Sequence, residues 1–140
     1  MTLRDLVIEG VETAGPSTTA EAIAMRLEEA NIGCLIIEED MKPVGIVTDR
    51  DLALRVVARD VDPDAVTASD IMTPEPVTVH VEQGLLDVTR TMRQHAVRRM
   101  PVVDDDDKLV GIITLDDVMT LLTRELNDLG QVVEAEATAY

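Results

Sequence analysis

Two kinds of apolar run alternate along this chain. Ala20, Ile23, Ala24 and Leu27 recur at i, i+3, i+4 and i+7, the spacing of one helix face. Two unbroken aliphatic runs follow, "CLII" (34–37) and "VGIV" (44–47), separated by the polar "EEDMK". Such runs suit strands buried on both faces, and the polar stretch between them reads as a hairpin loop. A second helix is expected over about Asp49–Arg59. The pattern then starts again. A helix over Leu85–His95 precedes "MPVV" and "VGII" around "DDDDK", and another helix is expected over Leu115–Leu126.

The recurrence is an internal repeat. A shift of 65 positions places Asp5 on Asp70, Ile23 on Val88, Leu27 on Met92 and Leu35 on Met100. One extra residue in the second acidic loop changes the shift to 66, which superposes Gly45 on Gly111. The order β-α-β-β-α therefore occurs twice, with repeats at 1–60 and 69–126, a linker at 61–68 and an acidic tail at 127–140. A unit of this size cannot bury such strands alone, so the copies must pack together. The expected fold is α/β (α+β) with internal pseudo-twofold symmetry. The tail is weakly patterned and reads as frayed or packed on a partner.

Composition narrows the function classes. With no Phe, no Trp and one Tyr, the core must be aliphatic. No apolar run approaches a membrane span, so a soluble, cytoplasmic protein is expected. Cys34 is the only cysteine and lies in an apolar run, which suggests a buried, inert thiol. Acidic residues number 28 against 12 basic ones, a net charge of −16, and only Lys42 and Lys108 are lysines. Acid-rich, lysine-poor, aromatic-poor chains resemble proteins of salt-accumulating organisms, where screening removes the self-repulsion. The same charge disfavours direct nucleic-acid binding. His80 and His95 lack a second ligand at metal spacing, "DDDD" lacks the spaced oxygens and turn glycine of a calcium loop, and no catalytic constellation is present. An enzyme is not expected.

The most conspicuous repeated string is Gly-aliphatic-aliphatic-Thr-x-x-Asp, ending at Thr48 and Asp51 and again at Thr114 and Asp117. Thr-x-x-Asp at a helix start is a capping box, and on that reading it begins two helices well. A helix start after a buried strand also offers free N–H groups to an anion, and a carboxylate can hold a vicinal diol as in dinucleotide sites. The two readings are compatible.

Taken in order and occurring twice, "DLV" and "DIM", "ANIGCLII" and "HAVRRMPVV", and the two Gly-to-Asp strings resemble the CBS domain, named after cystathionine β-synthase. Two in tandem resemble a Bateman module, here a stand-alone one covering about residues 1–126. The resemblance implies a regulatory, energy-sensing protein that binds AMP, ADP, ATP or S-adenosylmethionine between its repeats, needs no cofactor and pairs as a homodimer. It implies that Asp51 and Asp117 hold ribose, with Thr48 and Thr114 beside ribose or phosphate. Arg98, Arg99, Met100 and Pro101 would close the Asp51 cleft, and Ile32, Gly33, Cys34 and Leu35 the Asp117 cleft. Arg50 would reach phosphate or offset Asp49 and Asp51. The first cleft is therefore expected to take a phosphorylated nucleotide, and the second to take a less charged ligand, bind weakly or stay empty. The rival readings are a ligand-free interaction scaffold and a subunit of a transcription or enzyme regulator. Leu54, Val57, Met119 and Leu122 would form the dimer face or belong to the module's own core.

Overall fold

Thr19 begins the first long helix by accepting the Ala22 N–H on its hydroxyl at 3.2 Å. The resulting α1 (Ala20–Ala30) buries Ala20, Ile23 and Leu27 and stops at Asn31, whose φ of 51° is left-handed. The computed structural model describes residues 2–7 and 10–139. Its other long helix of this kind, α4 (Leu85–His95), buries Val88 and Met92 and stops at Ala96 with φ 53°. Asn31 and Ala96 are 65 positions apart, so the repeat extends to the helix stops.

Each helix feeds a hairpin. β2 (Cys34–Glu39) pairs antiparallel with β3 (Lys42–Thr48), and β6 (Arg99–Val103) with β7 (Leu109–Thr114). The first turn is only Asp40 and Met41, both at positive φ, as a two-residue primed turn requires. The remaining residues of "EEDMK" extend the strands. The "DDDD" run is a longer loop: Asp104 Oδ1 accepts the N–H groups of Asp106 and Lys108 at 2.9 and 3.0 Å. Those donors, Lys108 first, hold the Asp104 carboxyl below the usual carboxylate range.

Short strands complete the sheets. β1 (Thr13–Ala14) lies parallel to β2, and β4 (Thr73–Pro74) antiparallel to β3, giving the order β1-β2-β3-β4. In the second sheet β5 (Val79–His80) lies parallel to β6, giving β5-β6-β7 among the described residues. After β3, α2 (Asp49–Leu52) runs on into a π-helical turn (Ala53–Val57). A short α3 (Ala68–Ile71) precedes β4, and α5 (Leu115–Ala139) follows β7.

Two aliphatic cores result, one per sheet. Leu35, Ile37 and Val47 meet Ile23 and Leu27 in the first; Met100, Val102 and Ile113 meet Val88 and Met92 in the second. Each core is closed by the segment that leads into the other repeat. Leu3 is fully buried in the second core, with its N–H on the Gln83 carbonyl and that of Arg4 on Val81. Arg4 also pairs with Glu82. Ala68 and Ile71 enter the first core, and the Ala68 N–H bonds the Thr18 carbonyl at 2.8 Å. This exchange ties the repeats together with buried apolar surface, the dominant favourable term in folding.

The tail is helical and not frayed. Residues 127–139 are helical and continue α5, with all of them exposed. Among the described residues, no helix is long and apolar enough to cross a membrane.

Candidate functional site

Alternation along β2 and β6 sets the site. Leu35 and Ile37 point into the first core, so Ile36 between them faces the other way, toward the second repeat, and is still fully buried. The strand-to-helix turns lie at the same junction. The Asp49 N–H bonds the Gly33 carbonyl at 3.1 Å, and the Leu115 N–H bonds the Arg98 carbonyl at 2.7 Å, which fixes each turn beside the residues that lead into the neighbouring strand. Two clefts open where the repeats meet.

The first cleft has a volume of about 610 Å³. Ile46, Thr48, Asp49, Arg50 and Asp51 form one wall, residues 96–99 the opposite wall, and Thr73 with residues 75–77 the remainder. The second cleft, of about 380 Å³, is built from Ile112, Thr114, Leu115 and Asp116, faced by Ile32, Gly33, Cys34 and Ile36, with residues 10–12 beside them. Both volumes suit a small organic ligand. Arg98 and Arg99 line both clefts. The two linings correspond through the repeat: 46, 48, 49 and 50 match 112, 114, 115 and 116, and 75–77 match 10–12. The pseudo-twofold axis therefore relates the clefts as well as the folds.

Arg99 sits near that axis. Its Nη1 donates to the Gly33 carbonyl at 3.5 Å, and its guanidinium lies beside the Cys34 thiol. Cys34 is the residue that matches Arg99 in the other repeat, and a side chain touching its own counterpart must lie near the axis, where both clefts are within reach. Among the described residues, no carboxylate lies within 4.0 Å of this half-buried guanidinium. Arg98 is 72% exposed, with Nη2 3.8 Å from Asp116 Oδ1.

The motif residues are placed less symmetrically. Thr48 and Asp51 form a reciprocal capping box: Asp51 Oδ2 accepts the Thr48 N–H at 2.9 Å, and Thr48 Oγ1 accepts the Asp51 N–H at 3.1 Å. The other oxygen of Asp51 lies 3.7 Å from Arg55 Nε. Thr114 and Asp117 make the same box, with a further bond from the Thr114 hydroxyl to Asp117 Oδ2 at 2.8 Å. Thr48, Asp51 and Thr114 line the clefts, whereas Asp117 lies in a groove with Leu6, Thr120, Leu121 and Arg124. Its neighbour Asp116 takes the cleft position. Leu35, Met100 and Pro101 are buried and line neither cleft; the first two are core residues.

Cys34 is half-buried and lines the second cleft, so it is not sealed in the core. Burial pushes its thiol up from the ordinary value, the Arg99 guanidinium opposes that rise, and Asp49 adds to it. The sequence motifs do not mark Asp49, Asp116, Ile46, Ile112 or the segments 10–12 and 75–77 as cleft residues. The shift of 65 superposes those two segments, so the signal was present in the repeat itself. Among the described residues, no three His, Cys, Asp or Glu side chains are grouped to hold a metal ion.

Comparisons with known proteins agree with this architecture. A CBS domain profile matches residues 3–58 and again 68–124. An uncharacterized protein of Methanopyrus kandleri is 39% identical over 78% of the chain, although the match spans only 56% of that protein. The CBS domain-containing protein YhcV of Bacillus subtilis is 34% identical over 83% of the chain and 81% of its own length. Among solved structures, Hypoxic Response Protein I with two coordinated zinc ions superposes with a TM-score of 0.76 at 31% identity, covering 86% of this chain and 98% of that one. The CBS domain pair of protein MJ0100, in complex with 5′-methylthioadenosine and S-adenosyl-L-methionine, gives 0.79 at 28% identity over 89% and 98%. With its two repeats, exchanged lead-in segments and paired clefts, the chain belongs to the CBS domain family and carries two such domains in tandem.

Proposed function

We propose that this CBS pair is a regulatory module that senses an adenosine-containing ligand, AMP, ADP, ATP or S-adenosylmethionine, in the clefts between its repeats. The observation that carries the reading is the half-buried Arg99 guanidinium, without a carboxylate partner among the described residues and exposed to two clefts of ligand size. An arginine fork suits phosphate oxygens, and in a chain of net charge −16 an arginine with no carboxylate within 4.0 Å among the described residues is available to an anion. The complex of the similar MJ0100 domain pair with two adenosyl compounds supports the choice of nucleoside.

In this reading Asp51 holds ribose in the first cleft with Thr48 beside it, and Arg50, Arg98 and Arg99 meet phosphate. The second cleft is walled by Ile32, Ile36, Ile112 and Leu115 and takes a less charged nucleoside. Adenine is sandwiched there by aliphatic side chains. One arginine pair serves both clefts, so two phosphorylated nucleotides compete for it. The module acts in the cytoplasm as a homodimer, changes its packing on binding and passes that change to a protein it regulates; no step of the reading is catalytic.

A ligand-free scaffold is the second reading. It is favoured by the capping boxes, which use both Thr-x-x-Asp motifs for helix starts, and by the position of Asp117 outside the cleft. Calorimetric titration in molar KCl separates the two. The sensor reading expects adenosine to fill two sites per chain and ADP to fill one tightly. It also expects Arg98→Ala/Arg99→Ala to weaken ADP by roughly 10–100-fold, the value of charge-assisted hydrogen bonds. A folded wild type that gives no heat with any of the four adenosyl ligands would establish the scaffold.

A further inference from the structure

We propose that the projecting part of α5 is one half of a two-stranded coiled coil formed with a second copy of this chain. Of its 25 residues only Val118 is buried, and from Leu122 to Ala139 the helix touches no core. Its apolar residues are nevertheless ordered. Met119, Leu122, Leu126, Leu129 and Val133 follow one another at steps of three, four, three and four, the a/d alternation of a coiled-coil seam. Leu126, Leu129 and Val133 are 69%, 63% and 66% exposed. Both d positions are leucine, the residue that favours two strands there. The seam ends at Glu136, which falls on the next d position.

The flanks identify the occupant. In a chain with 28 acidic residues, the positions bordering the seam from 123 to 132 are Thr123, Glu125, Gly130 and Val132, a single charge among four. Arg124, Asp128 and Glu134 lie at outer positions of the same heptads. A helix meant for a basic partner would place its acids along the seam edges, where interhelical ion pairs form. Bare flanks instead let two copies of so acidic a chain approach without facing like charges, and a twofold pair of identical seams is self-complementary. The helix also needs support. A projecting helix has no tertiary packing, the main source of helical stability in proteins, and Gly130 weakens it further.

The seam shares Met119 and Leu122 with the dimer face expected from the sequence, runs on beyond it without Leu54 or Val57, and does not depend on ligand binding. Sedimentation equilibrium in molar KCl tests it, with circular dichroism to establish folding. The wild type is expected to be a dimer of the 15.3 kDa chain. Leu126→Glu/Leu129→Glu should raise the dissociation constant at least about 100-fold, since it puts charges in the centre of the seam on both helices. Both side chains are exposed in the single chain, so that variant should keep the wild-type fold. Leu54→Glu/Val57→Glu should remain a dimer. The proposal is overturned by a wild type that stays monomeric at every accessible concentration. It is equally overturned by a dimer that survives the seam variant and dissociates with the Leu54/Val57 one.

Discussion

Replacing Gly45 with alanine tests why the repeated motif begins with glycine. Gly45 is buried in β3, opposite Pro74 of β4, and Met72 leads into that edge strand. A methyl group on Gly45 would overlap Met72 Sδ and come within 2.9 Å of its Cγ and 3.1 Å of its Cβ. The thioether can swing aside only by giving up its packing on the first core, whereas the Cβ contact needs to give by only a few tenths of an ångström. Inserting a methyl into such a contact costs about 1–3 kcal/mol. For a chain of this size that lowers Tm by roughly 2–8 °C per kcal/mol. The assay is equilibrium unfolding in urea and molar KCl, followed by circular dichroism, for Gly45→Ala, Met72→Ala and the double variant. Removing the Met72 side chain beyond Cβ should relieve most of the clash, giving a coupling of about 1–2 kcal/mol, within the range for residues in contact. The reasoning is refuted if Gly45→Ala is neutral, or costs as much with Ala at 72 as with Met.

Two further predictions concern the motif and the thiol. Thr48→Ala removes the hydroxyl that accepts the Asp51 N–H and should cost about 1 kcal/mol in the same unfolding assay. An unchanged midpoint would mean the capping box contributes nothing to stability. Alkylation of Cys34 should show a rate–pH midpoint above that of a free thiol, because the raised pKa keeps the unreactive protonated form to higher pH. Arg99→Ala should move the midpoint higher still, by removing the cation that favours thiolate, and a ligand in the second cleft should slow the reaction. A midpoint at or below that of a free thiol would contradict the placement of Cys34.

Much of this was legible in the chain because it rests on local rules. Period-3.6 and unbroken aliphatic runs mark α1, α4 and the two hairpins, and Thr-x-x-Asp marks where α2 and α5 begin. What escaped depends on the third dimension. A linear repeat assigns Arg98 and Arg99 to one cleft, yet residues beside a pseudo-twofold axis face both. The motif points to Asp117, whereas Asp116 lines the second cleft; both motif carboxylates cap their helices, and Asp51 does so while lining its own cleft. Residues 127–139 read as a tail because Asn127, Asp128 and Gly130 are poor helix formers, and the seam before and after them becomes visible only once α5 is continuous.

The central claim is that the clefts between the repeats are the ligand sites. Amide chemical-shift mapping of the isotopically labelled protein, titrated with adenosine and then ADP, tests it most directly. Adenosine should perturb residues 32–34 and 112–116 together with 46–51 and 96–99, while ADP adds the largest shifts at Arg98 and Arg99. Shifts confined to other surfaces, or none at saturating ligand, would contradict the account.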